Sequence, residues 1–346
     1  MVCTMAFLRA LLSSARTFRY GPGLSAGLPA DDAVLLDAPD EWLSPALVAA
    51  ALGEFEPAAK LLATTRDAAD WETRDRALAR LVAFARGRDG WLTGWQAAAP
   101  RDPDALLVKA ALAVRRAWES PAHSELLREV GPLITAATEA DPRDPVPWRL
   151  ALDHARGTHA PHTVFESLWE QAVRRCPHHY GTHVSALRYL SAEWYGSHRE
   201  CFDFAERAAE DAAGDSLVQA LPVRAAFALL RDEKAAARAN SVQADRVDAA
   251  ADLAIGLSAG FPAGDPWPAE VRNLLAYVLA ARGRAAEALE QFRLIGPCAT
   301  SFPWASVTGD ALGGFLDARA DVRLRVASST PLCGRPEHGG PRGHYA

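Results

Sequence analysis

The sequence predicts an all-α protein in which helix hairpins stack into an α-solenoid. Three observations support this prediction: alternating β-branched runs are missing, helix-favouring alanine, leucine, arginine and glutamate dominate, and helix starts recur along the chain. The length of 346 residues is long for one compact core and natural for a stacked helical array. Because a lone hairpin cannot bury its hydrophobic face, neighbouring hairpins must stack on one another.

Serine or aspartate followed by proline marks the expected helix starts. The polar side chain caps open backbone donors, and proline loses nothing at the first helical position. The step from Asp102 to Asp144 is 42 residues, and further starts are expected near His179 and Ser216. Periods of roughly 34 to 45 residues are typical of two-helix repeats. The pairs are Ser44-Pro45, Asp102-Pro103, Asp144-Pro145 and Asp265-Pro266.

Apolar residues at helical spacing form stripes that we interpret as core seams rather than cofactor sites. The stripes are Leu107, Ala110, Val114 and Ala117; Phe165, Leu168, Ala172 and Cys176; and Tyr180, Val184, Leu187, Ser191 and Trp194. Residues 43–326 are expected to form the helical repeat domain. Residues 1–42 are expected to form an N-terminal helix and an irregular lead-in, and residues 327–346 a disordered tail.

Charge and composition argue against several classes of partner. The net charge of −6 offers no basic surplus to displace counterions from nucleic acid, and no basic amphipathic stretch favours anionic lipid. No run approaches the roughly 20 apolar residues that cross a bilayer. The five cysteines are odd in number and form no Cys-x-x-Cys pair, which favours a reducing cytoplasm. The abundant alanine and arginine suggest a GC-rich bacterial genome.

The region 270–295 carries the strongest repeat pattern. Small side chains at Ala276 and Ala288 allow two helices to approach closely, and larger ones at Leu279 and Phe292 fill the adjacent gaps. Gly283 is expected to end the first of the two helices. Leu275 and Ile295 complete the pattern.

This stretch resembles a tetratricopeptide repeat, and weaker copies lie at residues 53–59, 137–148 and 172–179. The resemblance implies a right-handed solenoid over most of residues 43–300. It also implies a non-catalytic scaffold or adaptor that binds a protein or peptide in its groove. It brings no chemistry, because that family is defined by architecture and partner binding. We therefore predict no catalytic residue, no cofactor and no metal.

First-helix residues face the groove in tetratricopeptide proteins, and the resemblance carries this role to positions in three repeats. The implied partner-binding residues are Arg149, Asp153 and Arg156 in one repeat, Val184 and Arg188 in the next, and Glu270, Asn273 and Tyr277 in the last.

The segment 193–200 is similar to a Trp-Gly-Gly-Ser motif of uncharacterised bacterial helical-repeat proteins, although Tyr195 departs from it. A structural interpretation suffices: Gly196 ends one helix, Ser197 and Glu200 have the spacing of a capping box, and Trp194 packs nearby. The alternative interpretation is a loop that contacts a ligand.

Two other functions stay open. One is a regulatory sensor of a small peptide or metabolite, although no convincing DNA-binding helix-turn-helix precedes residue 43. The other is a metal-dependent enzyme, because neutral imidazole and thiolate are good zinc ligands. No nucleophile-elbow or phosphate-loop motif occurs. The cluster that would hold the metal comprises Cys176, His178, His179, His183, His198 and Cys201.

Overall fold

The computed structural model describes residues 25–38 and 40–329. Helix accounts for 73% of these residues, which confirms the all-α class. Within the described ranges, the first eight α-helices are α1 (Ser44–Ala51), α2 (Glu56–Asp67), α3 (Trp71–Ala85), α4 (Gly90–Ala98), α5 (Pro103–Trp118), α6 (His123–Ala140), α7 (Val146–Gly157) and α8 (His162–Arg175).

Nine further α-helices complete the described chain, together with two 3₁₀ turns and two short strands. The turns are Asp31–Ala33 and Leu217–Ala220, and the strands are β1 (Leu35–Leu36) and β2 (Cys298–Ala299). The helices are α9 (Tyr180–Tyr189), α10 (His198–Asp211), α11 (Leu221–Arg231), α12 (Glu233–Arg238), α13 (Ser241–Ala259), α14 (Ala269–Ala281), α15 (Ala285–Ile295), α16 (Ser301–Thr308) and α17 (Ala311–Ser329).

Most helices pack against the next helix in sequence. One set of helices also forms a second series of contacts, in which each helix packs against the next member of the set. This set runs α3, α5, α7, α9, α11 and α14, and we call these six the inner helices. Helix α3 additionally contacts α7 and α9, so the inner helices curve around a shared space. No helix in the described residues is long and apolar enough to cross a membrane.

Helices begin close to the expected caps where aspartate can reach the open donors. Asp102 accepts hydrogen bonds from the backbone N–H groups of residues 104 and 105, both at 2.9 Å, and α5 begins at Pro103. Asp144 accepts from the N–H of Val146, so α7 begins one residue later than expected. After Asp265, the side chain caps a short turn instead, and α14 begins only at Ala269.

The strongest repeat pattern packs as predicted. Ala276, Leu279, Ala288 and Phe292 are each 0% exposed, which places them at the contact between α14 and α15. Gly283 joins the two helices with a φ of +76°, a left-handed conformation in which glycine avoids the steric cost of a Cβ.

The lead-in differs from the expected irregular segment. Strand β1 pairs in parallel with β2, and Asp37 accepts a hydrogen bond of 3.1 Å from the backbone N–H of Ser301. Asp31 forms an ion pair with Arg319 of α17. Residues 31–37, which precede α1, therefore contact residues 298–301 and α17 near the end of the described chain. Two-residue strands have no periodic pattern, which is why the sequence does not reveal them.

The expected boundary of the tail is also corrected. Helix α17 continues to Ser329, and Ala327 is buried because its helical register places it on the packed face. Residues 327–329, which were expected to belong to the tail, therefore belong to this helix. Residues 330–346 and the expected N-terminal helix within residues 1–19 lie outside the described residues.

Candidate functional site

Two adjoining cavities open between the inner helices. The first has a volume of about 470 Å³. It lies among α3, α7, α9, the segment 266–270 at the start of α14, and residues 298–302. The second has a volume of about 480 Å³ and lies between α9, α11 and residues 191–194. We call the two together the inner groove. Val184, Arg188, Arg224 and Phe302 line both cavities.

Helix α3 forms one wall of the groove and is tied to the opposite end of the chain. Arg76 donates a hydrogen bond to the carbonyl of Pro266, and its guanidinium lies 5.4 Å from the centre of the Trp267 ring. Arg80 forms a 3.0 Å ion pair with Asp37 of the lead-in. These contacts enclose the first cavity between α3 and the segment that leads into α14.

Most arginines of the groove are already paired. Arg149 bridges Asp75 at 2.9 Å and Asp153 at 3.2 Å. Arg224 forms an ion pair with Glu270 and donates a 2.8 Å hydrogen bond to the hydroxyl of Tyr180. Because these ion pairs largely neutralise the charges of Arg149 and Arg224, the two residues contribute to the shape of the groove more than to its net charge.

Arg188 is different because its side chain has neither a hydrogen bond nor an ion pair within the described residues, a property that it shares with Arg231 of the second cavity. Its side chain is exposed and lines both cavities where they adjoin. Desolvation lowers the pKa of this guanidinium, and the positive charges of Arg224 and Arg156 lower it further, against the opposing influence of Asp153 and Glu270. The group nevertheless stays charged at neutral pH, because arginine titrates far above it.

A pair of tryptophans holds a second arginine at the wall of the second cavity. The guanidinium of Arg156 lies 4.3 Å from the ring centre of Trp118 and 4.7 Å from that of Trp194. Both rings are therefore positioned by cation–π contact, and Trp194 lines the second cavity.

The loop that carries Trp194 has the predicted cap at Ser197 and also contributes to the groove, but Gly196 does not end a helix as predicted, because α9 already ends at Tyr189. Ser197 accepts a 3.3 Å hydrogen bond from the N–H of Glu200, which caps α10. A Cβ at Gly196 would lie 2.3 Å from the carbonyl of Leu190, so only glycine fits this turn. Helix α9 ends at Tyr189, hence Ser191 and Trp194 are not part of the helical stripe expected from the sequence. The N–H groups of residues 194 and 196 bond instead to the carbonyl of Ser191.

The structure brings together most of the partner-binding residues predicted from the sequence. Arg149, Val184, Arg188 and Glu270 line the first cavity, and Arg156 lines the second. Sequence reasoning missed Glu72, Arg76 and Trp267, because α3 lacks a repeat pattern and its contacts with residues 266–270 span nearly the whole array.

Three of the predicted residues lie elsewhere. Asp153 is buried beneath the surface, where it pairs with Arg149 and Arg156. Asn273 is fully buried, donates to the carbonyl of Ala269, and accepts a 2.8 Å hydrogen bond from the indole of Trp304. Tyr277 packs among aromatic rings and lines neither cavity.

The histidine and cysteine cluster does not assemble into one site. No group of three or more potential ligands comes together among the described residues. His179 pairs with Thr182 at 2.8 Å, and His198 lies 3.2 Å from Asp232. Burial raises the pKa of the Cys201 thiol to about 12, and the thiol donates to the carbonyl of Leu190. These local contacts explain the side chains without a metal.

The half-buried carboxylate of Glu72 lines the first cavity. Glu72 accepts a 2.6 Å hydrogen bond from the N–H of Tyr180, an open donor at the start of α9. Burial raises the pKa of Glu72 to about 7, with a further rise from the nearby charge of Asp75. Burial also lowers the pKa of His179 to about 4.

The chain matches no family model, no curated protein and no solved structure.

Proposed function

We propose that this chain is a tetratricopeptide-like, right-handed solenoid that binds a protein or peptide partner in its inner groove. Its role is that of a non-catalytic scaffold or adaptor in the cytoplasm. The observation that carries the proposal is Arg188, which lines both cavities and whose side chain has no hydrogen bond or ion pair among the described residues. Because Arg188 has no charged partner among the described residues, an anionic group of a bound partner would pair with it.

The dimensions of the groove favour a peptide segment over a flat protein surface. Cavities of about 470 and 480 Å³ fall in the range of roughly 300 to 1,000 Å³ that small ligands occupy. A short extended segment that passes Arg188 would occupy both cavities. The rings of Trp194 and Phe302 supply apolar surface for its side chains.

Site-specific photocrosslinking in the native host tests this proposal. A photoreactive residue at Ala192 points into the second cavity, because Ala192 is exposed and lines it. The matched control is Ala213, which is also exposed but lies outside both cavities. We expect one reproducible crosslinked polypeptide from position 192 and none from position 213. Crosslinks of equal yield at both positions, or no crosslink at position 192, would contradict groove binding.

The sensor remains a second candidate because the groove is enclosed. The contacts of Arg76 with Pro266 and of Arg80 with Asp37 wall the first cavity on two sides, as a small-molecule site requires. A thermal-shift screen of fractionated host extract separates the two candidates. Stabilisation by a protease-resistant fraction of low molecular mass would favour a metabolite, and loss of stabilisation after protease treatment would favour a peptide.

A further inference from the structure

The charge around Arg188 indicates which chemical group the groove receives. The chain as a whole carries a net charge of −6, yet arginines outnumber carboxylates along the lining of both cavities. Asp153 and Glu270, the carboxylates that act on Arg188, already hold Arg149, Arg156 and Arg224. Neither of these two carboxylates is therefore free to move onto Arg188 without leaving another arginine unpaired.

The neighbouring groups restrict how Arg188 can be neutralised from within the chain. Glu193 is exposed on the lining of the second cavity, and its negative charge acts on Arg156. Glu72 faces the first cavity, but burial raises its pKa to about 7 and its carboxylate is held by the N–H of Tyr180. Arg188 and Arg231 thus both lack a hydrogen bond and an ion pair among the described residues, and of these two cations only Arg188 lines both cavities with its planar fork of donors.

A carboxylate suits this environment better than a phosphate. A guanidinium binds one carboxylate through two parallel hydrogen bonds, which gives both affinity and orientation. A phosphate monoester carries close to two negative charges at neutral pH, and the carboxylates of Asp153 and Glu270 would repel it more strongly. The Trp194 ring, fixed on Arg156, and the Phe302 ring offer apolar contacts on the same lining, which fits the side chains of a peptide.

We propose that the inner groove binds an acidic peptide segment, and that Arg188 receives an aspartate or glutamate carboxylate of that segment. This inference rests on the proposed function and adds the chemical class of the ligand. Arg188 is the residue that favours a negatively charged peptide side chain. The paired arginines hold the walls of the groove in place through their ion pairs. Replacement of that aspartate or glutamate of the peptide by asparagine or glutamine removes the negative charge and keeps the size of the side chain.

The test uses the full chain and a random dodecapeptide library displayed on phage. Selected peptides are synthesised, and calorimetry measures their affinity for the wild-type protein and for R188Q, R188K and R199Q. Arg199 is the matched control, because its side chain is 85% exposed on α10 and lines neither cavity. Each selected acidic peptide is also made with its carboxylate replaced by the corresponding amide. Thermal melts confirm that the variants fold.

The inference predicts selected peptides that share one acidic position. R188Q should then bind them about tenfold more weakly or worse, R188K should be intermediate, and R199Q should match the wild type. The amide peptides should bind the wild type and R188Q equally, because the lost interaction is the one between Arg188 and the carboxylate.

The outcomes separate this inference from the proposed function. Selected peptides without a shared acidic position, or acidic peptides that bind R188Q as well as the wild type, would overturn the inference and leave peptide binding intact. A library that yields no binder would overturn both. Stabilisation of the wild type but not R188Q by inorganic phosphate or succinate, without peptide binding, would identify a small anion as the ligand instead.

Discussion

At the scale of single residues, Glu72 couples the floor of the groove to the stability of the fold. Its carboxylate accepts the N–H of Tyr180 and thereby joins α3 to α9. Burial raises its pKa from 4.5 to about 7, so the folded state holds the proton more tightly than the unfolded state does. The contribution of Glu72 to stability is therefore greatest below about pH 4.5 and decreases as the pH rises to about 7.

We expect Glu72→Gln to remove this pH dependence. The amide still accepts the N–H of Tyr180 but never carries the charge that burial penalises. The difference in unfolding free energy between the variant and the wild type should move in favour of the variant by up to about 3 kcal/mol between pH 4.5 and 7. Urea titrations across this range measure it.

A difference between Glu72→Gln and the wild type that does not change with pH would contradict this account. The comparison of variant and wild type also cancels the opposite effect of His179, whose depressed pKa of about 4 adds stability as the pH rises.

Arg149 shows why a buried residue is a poor test of partner binding. The sequence places Arg149 and Arg188 in the same class of groove residues, but only Arg149 bridges two carboxylates of the wall. Charge reversal at Arg149 would leave Asp75 and Asp153 facing a third negative charge. Lost binding in such a variant would report damage to the fold, whereas substitution of Arg188 breaks no side-chain hydrogen bond or ion pair among the described residues.

At the scale of helices, the sequence predicts packing where the signal is local. The small and large residues of α14 and α15 lie within one hairpin, and they are buried as expected. The Asp102 cap also acts within three residues of itself. The end of α9 and the pairing of β1 with β2 depend instead on loop geometry and on segments far apart in the chain, for which sequence periodicity has no signal.

The packing of Phe292 allows a test of how far damage spreads between helices. Its ring lies 5.2 Å from that of Phe315 and 6.1 Å from that of Trp304, so α14 to α17 share one aromatic core. We expect Phe292→Ala to cost roughly 3–5 kcal/mol through loss of burial and a residual cavity. Hydrogen exchange should show lost protection first in residues 269–329.

The core around α2 to α5 should keep its protection in the Phe292→Ala variant. Leu62, Leu78 and Val108 belong to a separate hydrophobic cluster, which contains no residue of α14 to α17. Equal loss of protection in both regions would show that the chain unfolds as one cooperative unit, contrary to this account.

At the scale of the whole molecule, contacts between distant segments create the groove. From the resemblance to a helical repeat, the sequence predicts that residues of α7, α9 and α14 face a groove. It does not identify the wall that α3 supplies, since the contact of Arg76 with Pro266 joins residues 190 positions apart. The sequence therefore predicts groove residues that lie within single helix pairs. It does not predict the contacts between distant segments that form the other wall of the groove.

The central claim is that the inner groove, and not the outer surface, binds the partner. Ala79 is exposed on α3 and lines the first cavity, so Ala79→Trp fills the groove without entering the core. Ala249→Trp is the matched control, because Ala249 is equally exposed on α13 and lines neither cavity. The direct measurement is the amount of partner that each variant recovers from native host extract, with thermal melts to confirm folding. We predict that Ala79→Trp reduces recovery about tenfold or more, while Ala249→Trp recovers as much as the wild type. Equal recovery by both variants, or a loss confined to Ala249→Trp, would contradict the claim.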